Sequence, residues 1–319
     1  MSPVKMNVFL KFIGFLKCTK RQLNSGLSSG HLNVPKEVEI SRAMQLQLQG
    51  HWNGWENYVK NNLSWKSILA MPPNLLSFCL SSTCDVLPSP SNLKRWKIMS
   101  ESSCFLCRKE VCTTAHVLGA CKVALSQGRF TFRHDSVLCE LLFHPKKFYS
   151  EVIPSNKQCA RKVPFVKAGT YTSGKRSKST GLLHFADDWV FLVDLSNGFV
   201  FPAHIAIISL KPDVVIYSNC SKHVILIELT CPCEKNMESW HSKKLYKYAP
   251  LVEVIRGNGW LPYIFAIEVG PRWYSSKSVP CCLKSLAFSS RSAFSTARKP
   301  GDMSMKGSFY IWIARASTQ

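Results

Sequence analysis

The chain has 319 residues, 46% hydrophobic and 19% charged, a balance that excludes disorder over most of the length and supplies a core for at least one of about two domains. Forty-one Lys and Arg against 19 Asp and Glu give a formal charge of +22, so a polyanion is the expected partner. No run approaches the roughly 20 apolar residues that span a bilayer, and the basic residues are scattered instead of lining one amphipathic helix. Nucleic acid is therefore expected and a membrane is not, while the 14 cysteines in a long, core-forming chain fit a reducing compartment better than a disulfide scaffold.

In chain order, residues 1–36 read as a poorly ordered leader: Lys11 and Lys17 interrupt MNVFLKFIGFL, and no clear small-residue cleavage pattern follows. Residues 37–150 read as helical. Trp52, Trp55 and Tyr58 recur every three residues as core positions, and Pro72–Pro73 and PSPSN at 88–92 are expected to stop helices. GRFTFRHDSVLCELLFH continues as an apolar-periodic helix with a basic start. Residues 151–180 mix Lys157, Arg161, Lys162, Lys167, Lys175, Arg176 and Lys178 with Ser, Thr and Gly, a basic linker that is either solvated or tracks phosphates. Between 181 and 290, WVFLVDL, AIISL, DVVIYS, VILIEL and YIFAIEV read as strands, and EKNMESWHSKKLYKY as a helix between the last two. The fold class is α/β. A tail at 291–319 ends in FYIWIARAS, read as an edge strand or a terminal helical turn.

Two constellations carry chemistry. Cys104, Cys107, His116 and Cys121 form CxxC, eight residues, His, four residues, Cys, a spacing that suits a tetrahedral zinc with four protein ligands and no open position, hence structural. Cys112 lies mid-loop and is the poorer ligand. The alternative is that these residues pack as small buried hydrophobes. A zinc module there would turn the neighbouring Arg129 and Arg133 toward nucleic acid.

LKPDVVIYSNCSKHVILIELT reads as a hairpin. Pairing Ser218 with His223 sets Val215 opposite Leu226 and Asp213 opposite Glu228, so the two carboxylates share one face. Opposed like charges are destabilising unless a cation lies between them, and hard oxygen ligands suit Mg²⁺, which activates water in phosphodiester hydrolysis. The following helix presents Lys243, Lys244 and Lys247, one of which is expected to assist the phosphate. The bland alternative makes the acids surface strand ends and the lysines a solvated face. FADD at Phe185–Asp188 matches a polymerase aspartate motif by letters only; Asp187 and Asp188 are expected to cap an element.

Taken together, LSF followed by LPSPSNLKRW, the Cys/His set, ALSQGRFTFRHDSVL, KPD, IELTCPCE and KLYKY resemble the region following the reverse transcriptase in site-specific non-LTR retrotransposon polyproteins, over roughly 37–290. The resemblance implies a helical, CCHC zinc-knuckle N-terminal part followed by a restriction-endonuclease-like PD-(D/E)XK mixed sheet flanked by helices. It implies a Mg-dependent endonuclease that nicks DNA in the nucleus, with Asp213 and Glu228 as its acids and the element's RNA as a second partner. Thr230 stands where the simple ExK form has Lys, so the amine the resemblance implies must come from the helix, as Lys244 or Lys247. The alternative function is an inactive, zinc-containing nucleic-acid-binding remnant.

Overall fold

The computed structural model describes residues 58–59, 70–108, 111–152, 181–195 and 199–317. The leader, Trp52, Trp55 and the basic residues between Lys157 and Lys178 lie outside these described residues. Tyr58 is within them, bridged to Ser276 and packed edge-on against Tyr274.

The first helices of the described residues, α1 (Pro73–Thr83) and α2 (Pro90–Arg95), begin at the prolines expected to end helices. At the first helical position proline loses no helical hydrogen bond and its φ is already set; the side chain of Ser89, the N-cap of α2, also accepts from the Asn92 amide. Two short helices follow, α3 (Thr114–Gly119) and α4 (Lys122–Ser126), and then the long α5 (Arg129–Val152).

Four strands form one mixed sheet in the order β1-β2-β3-β4: β1 (Val190–Val193), β2 (Val214–Ser218), β3 (His223–Thr230) and β4 (Leu261–Glu268). β1, β2 and β3 are antiparallel neighbours, whereas β4 runs parallel to β3 after the crossover helix α6 (Met237–Gly257). β3 is buried on both faces, which explains why VILIEL is apolar without clean alternation. The AIISL segment, residues 206–210, is not a strand but a loop whose Ala206 enters the core beside the preceding Ile205; apolar anchoring and strand pairing give the same short apolar run.

Helices cover both faces of the sheet. On one, Tyr248, Leu251 and Ile255 of α6 pack on Val215, Val224 and Leu226. On the other, Val137 and Leu138 of α5 join residues of α7 (Ser278–Leu286) over Val214, Ile216, Ile225 and Ile227. Each such side chain, fully buried, contributes about 1.5–3 kcal/mol.

Residues beyond 290, read as a tail, form α8 (Ser290–Thr296) and α9 (Lys299–Ile313), and FYIWI is the end of α9, not an edge strand. α9 lies against α5 closely enough that a Cβ on Gly307 would meet Arg133 Cγ at 2.8 Å. A third apolar cluster joins α1, the Cys/His segment and Met305 and Trp312 of α9. The cysteine-bearing part and the sheet belong to one unit, Trp55–Gln319. Among the described residues no helix is long and apolar enough to cross a membrane.

Candidate metal centre and acid pair

The Cys104–Cys107 turn closes with the Arg108 amide donating to the Cys104 carbonyl (3.0 Å), Arg108 itself taking φ 61°. Thr113 caps α3 and sets His116 in its first turn, while Cys121 is the N-cap of α4. The four ligand atoms lie within 4.8 Å of one another. Cys104 Sγ is 3.8 Å from Cys121 Sγ, and Cys107 Sγ is 3.5 Å from His116 Nε2. Tetrahedral zinc with bonds of about 2.3 Å to sulfur and about 2.0 Å to nitrogen has edges of about 3.8 and 3.5 Å, so the set fits a metal such as zinc.

Burial opposes ionisation of Cys104, but amides of Cys107 and Leu106, with His116 and Cys107, bring its thiol down to about 6, favouring the thiolate a metal needs. Cys112 is fully buried nearby, and burial together with Cys104 pushes its thiol up to about 12; it stands outside the ligand set.

Of the two arginines beside this module, Arg133 is buried and Arg129 half-buried. Arg133, 1% exposed, donates to the carbonyls of Leu118 (2.6 Å) and Cys231 (3.2 Å) and to Ser308 Oγ (3.0 Å). Arg129 donates to the carbonyls of Ala314 and Ser317. Their guanidiniums satisfy carbonyls at helix and strand ends, which binds the cysteine-bearing segment to α9 and the end of β3; this replaces the expected phosphate contacts.

The hairpin has the register read from the sequence: Ser218 pairs with His223 and Val215 with Leu226. One step beyond the paired residues, the Asp213 amide donates to Glu228 Oε2 (3.3 Å), so the two acids are neighbours at the end of the hairpin, Glu228 meeting α6 through Lys244 and the Asp213 carboxylate meeting α5 through His134. Leu229 N donates to Asp213 Oδ2 (2.6 Å), fixing that carboxylate against β3. Glu228 is 4% exposed.

α6 supplies the amines. Lys244 Nζ donates to Glu228 Oε1. Lys247 Nζ donates to Tyr248 Oη (3.0 Å), which donates to the Lys211 carbonyl (2.8 Å); burial and the neighbouring Glu228 charge push the phenol up. Lys243 belongs elsewhere, 5.2 Å over the Trp240 ring. Thr230 is buried and its Oγ1 faces the Ile267 carbonyl, so β3 itself offers no amine here.

Three partners escaped the sequence reading. His134, from α5, places Nε2 3.3 Å from both Asp213 Oδ2 and the Leu229 carbonyl, and Nδ1 3.1 Å from Asp135 Oδ1. Every one of these is an acceptor, so both ring nitrogens carry protons. Burial pulls the imidazole down, yet Asp213 and Asp135 outweigh it and raise it to about 9. Tyr248 is the second missed residue. The third is Glu268 at the end of β4, 2% exposed, accepting from Ser278 Oγ and meeting His241 Nδ1, both at 2.8 Å; desolvation raises its carboxyl above the usual range. The only hints were an HD pair in a helical run and the KY of KLYKY.

Asp188 holds the far end of the hairpin: Ser218 Oγ donates to Oδ1 (2.5 Å) and the Cys220 amide to Oδ2 (3.0 Å). It caps the β2–β3 turn, and among the described residues it belongs to no metal set.

No family model matches the chain, and no curated protein matches it.

Proposed function

We propose that the chain is a metal-dependent DNA endonuclease with a structural zinc knuckle, derived from a site-specific non-LTR retrotransposon and acting in the nucleus. The observation that carries the reading is the juxtaposition of Asp213 and Glu228 across the β2–β3 hairpin, with Lys244 delivered to Glu228 from the crossover helix. Two acids and an amine gathered at the end of one hairpin of a mixed sheet, in a chain of charge +22, suit phosphodiester hydrolysis better than chemistry on a neutral substrate.

Asp213 and Glu228 are the residues that would hold Mg²⁺, whose part when bound is to lower the pKa of a water and polarise the phosphate. Lys244 stands where it neutralises charge building on the phosphoryl oxygens. Lys247 and Tyr248 form a second polar link from α6 to the chain just before Pro212. His134 orients the Asp213 carboxylate. The zinc ligands are Cys104, Cys107, His116 and Cys121, and the module docks on α5 and α9 through Arg133. DNA is the substrate, with the element's RNA as a second partner.

Nicking of supercoiled DNA in Mg²⁺ tests this. Asp213→Ala and Glu228→Ala are expected to lower the rate by about 10³ or more, while salt-sensitive binding persists. Cleavage unchanged in both variants would refute the assignment. One observation favours a second reading, a zinc-containing binding protein without cleavage: His134 already offsets the Asp213 charge and Lys244 that of Glu228. Wild-type binding with no Mg²⁺-dependent nicking selects it.

A further inference from the structure

α6 has a second polar face, which the acid pair does not use. At about 100° per residue, the side chains directed at the sheet (Met237, His241, Lys244, Tyr248) fall within about 60° of one another, and Trp240, Lys247, Lys243 and Tyr246 occupy a neighbouring arc of about 120°. Trp240 is 40% and Tyr246 85% exposed, and both lysines are exposed. Two aromatic rings thus bracket two ammonium groups on one helix.

The arc holds no carboxylate. Glu238 falls on the opposite side, and Glu253, two turns on, is paired with Arg256 (2.8 Å). The arc also borders the reactive face: Trp240 sits one turn before Lys244, and Lys247 reaches across to Tyr248 Oη. Lys243 Nζ lies 5.2 Å over the Trp240 ring, which holds the indole while leaving it partly open.

We infer that this arc is a track for an unpaired DNA strand leaving the acid pair, with bases stacking on Trp240 and Tyr246 and phosphates meeting Lys243 and Lys247. The inference rests on the nucleic-acid reading of the previous section and adds to it the form of the substrate. Positive charge without acids selects a polyanion, and exposed rings select one whose base faces are free, since a fully paired duplex keeps its faces stacked inside. Trp240 and Tyr246 are separated by about 9 Å along the helix axis and about 120° around it, so a strand that meets both rings crosses the two lysines between them.

The test uses the full chain carrying Asp213→Ala, so that no cleavage intervenes. Anisotropy is measured with a labelled single strand of about 16 nucleotides, the upper end of common site sizes, and with the same sequence fully paired. Trp240→Ala and Tyr246→Ala should each weaken single-strand binding at least about five-fold and change duplex binding less than about two-fold, with Trp240→Phe retaining most of the affinity. Near-UV circular dichroism reports whether the fold persists. Single-strand affinity unchanged in both alanine variants, or an equal loss on strand and duplex, overturns the track. So does binding of anionic vesicles by Trp240, Tyr246 and Lys243 without any DNA affinity. If duplex binding and Asp213-dependent nicking persist while the alanine variants bind strands normally, only the track falls; if the wild-type protein binds no DNA, the nuclease reading falls with it.

Discussion

The cysteine cluster and the acid pair are built by opposite means. The cluster's ligands come from 18 consecutive positions, Cys104 to Cys121, brought together by one turn and two short helices, the first capped by Thr113. The acid pair takes Asp213 and Glu228 from a hairpin, Lys244 from the crossover helix and His134 from 79 residues before Asp213. Local spacing assembles the first, whereas sheet register and helix packing assemble the second. A local site fails all at once when a ligand is lost, while a dispersed site loses its parts separately.

The largest expected effect is therefore on the cluster. Zinc held by such a set accounts for about 10–16 kcal/mol of apparent binding free energy, so Cys121→Ser or chelation should release the metal and melt the cluster of α1, Cys104, Cys112 and α9. Metal content and calorimetric unfolding measure this. Cys112→Ser should keep full stoichiometry, and its loss there would put Cys112 among the ligands.

At the acid pair the parts should separate. Lys244→Ala is expected to slow nicking by about 10²–10³, because Lys244 meets Glu228 directly, whereas Lys247→Ala, which loses a contact to Tyr248 and the phosphate contact proposed for the track but none to the acids, should cost about ten-fold or less. Single-turnover rates decide, and a reversed order would make Lys247 the assisting amine.

Arg133 joins the two regions. Arg133→Met removes three donors from Leu118, Ser308 and Cys231 and should cost about 3 kcal/mol in denaturant unfolding, because the carbonyls stay buried. A loss below about 1 kcal/mol would mean that the cysteine-bearing part and the sheet are energetically independent.

The smallest effect concerns Glu268. Its carboxyl is raised by burial, so the folded chain holds that proton more tightly than the unfolded one. The associated stability is fully present below the ordinary carboxylate range and fades as pH climbs through the raised folded value. Glu268→Gln should change stability at neutral pH by less than about 1 kcal/mol and flatten the profile above about pH 4.3. A profile as steep as that of the wild type would assign the slope to another group.

Much of this was legible in the sequence because it depends on period and spacing. The hairpin register follows from alternation around SNCSK, and the structure pairs Ser218 with His223 and Val215 with Leu226 accordingly. The strands at 190–193, 214–218, 223–230 and 261–268 and the helix after Glu234 came from the same signals. AIISL misled because an apolar loop anchored by Ile205 has the composition of a strand. Arg129 and Arg133 misled because net charge predicts a partner but not which cations are consumed inside. FYIWI was ambiguous because a run that short fits either period.

By itself the sequence determined the α/β class, the four-ligand cluster and the pairing of Asp213 with Glu228, since each depends on residues close along the chain. Only the tertiary structure decided that Lys244 and not Lys247 meets Glu228, that His134 holds Asp213, and that Arg133 lies buried between α9, α3 and the end of β3. Those contacts depend on the rotation of α6 and the placement of α5 over the sheet. Helix packing fixes both, through surfaces built from residues far apart in the chain.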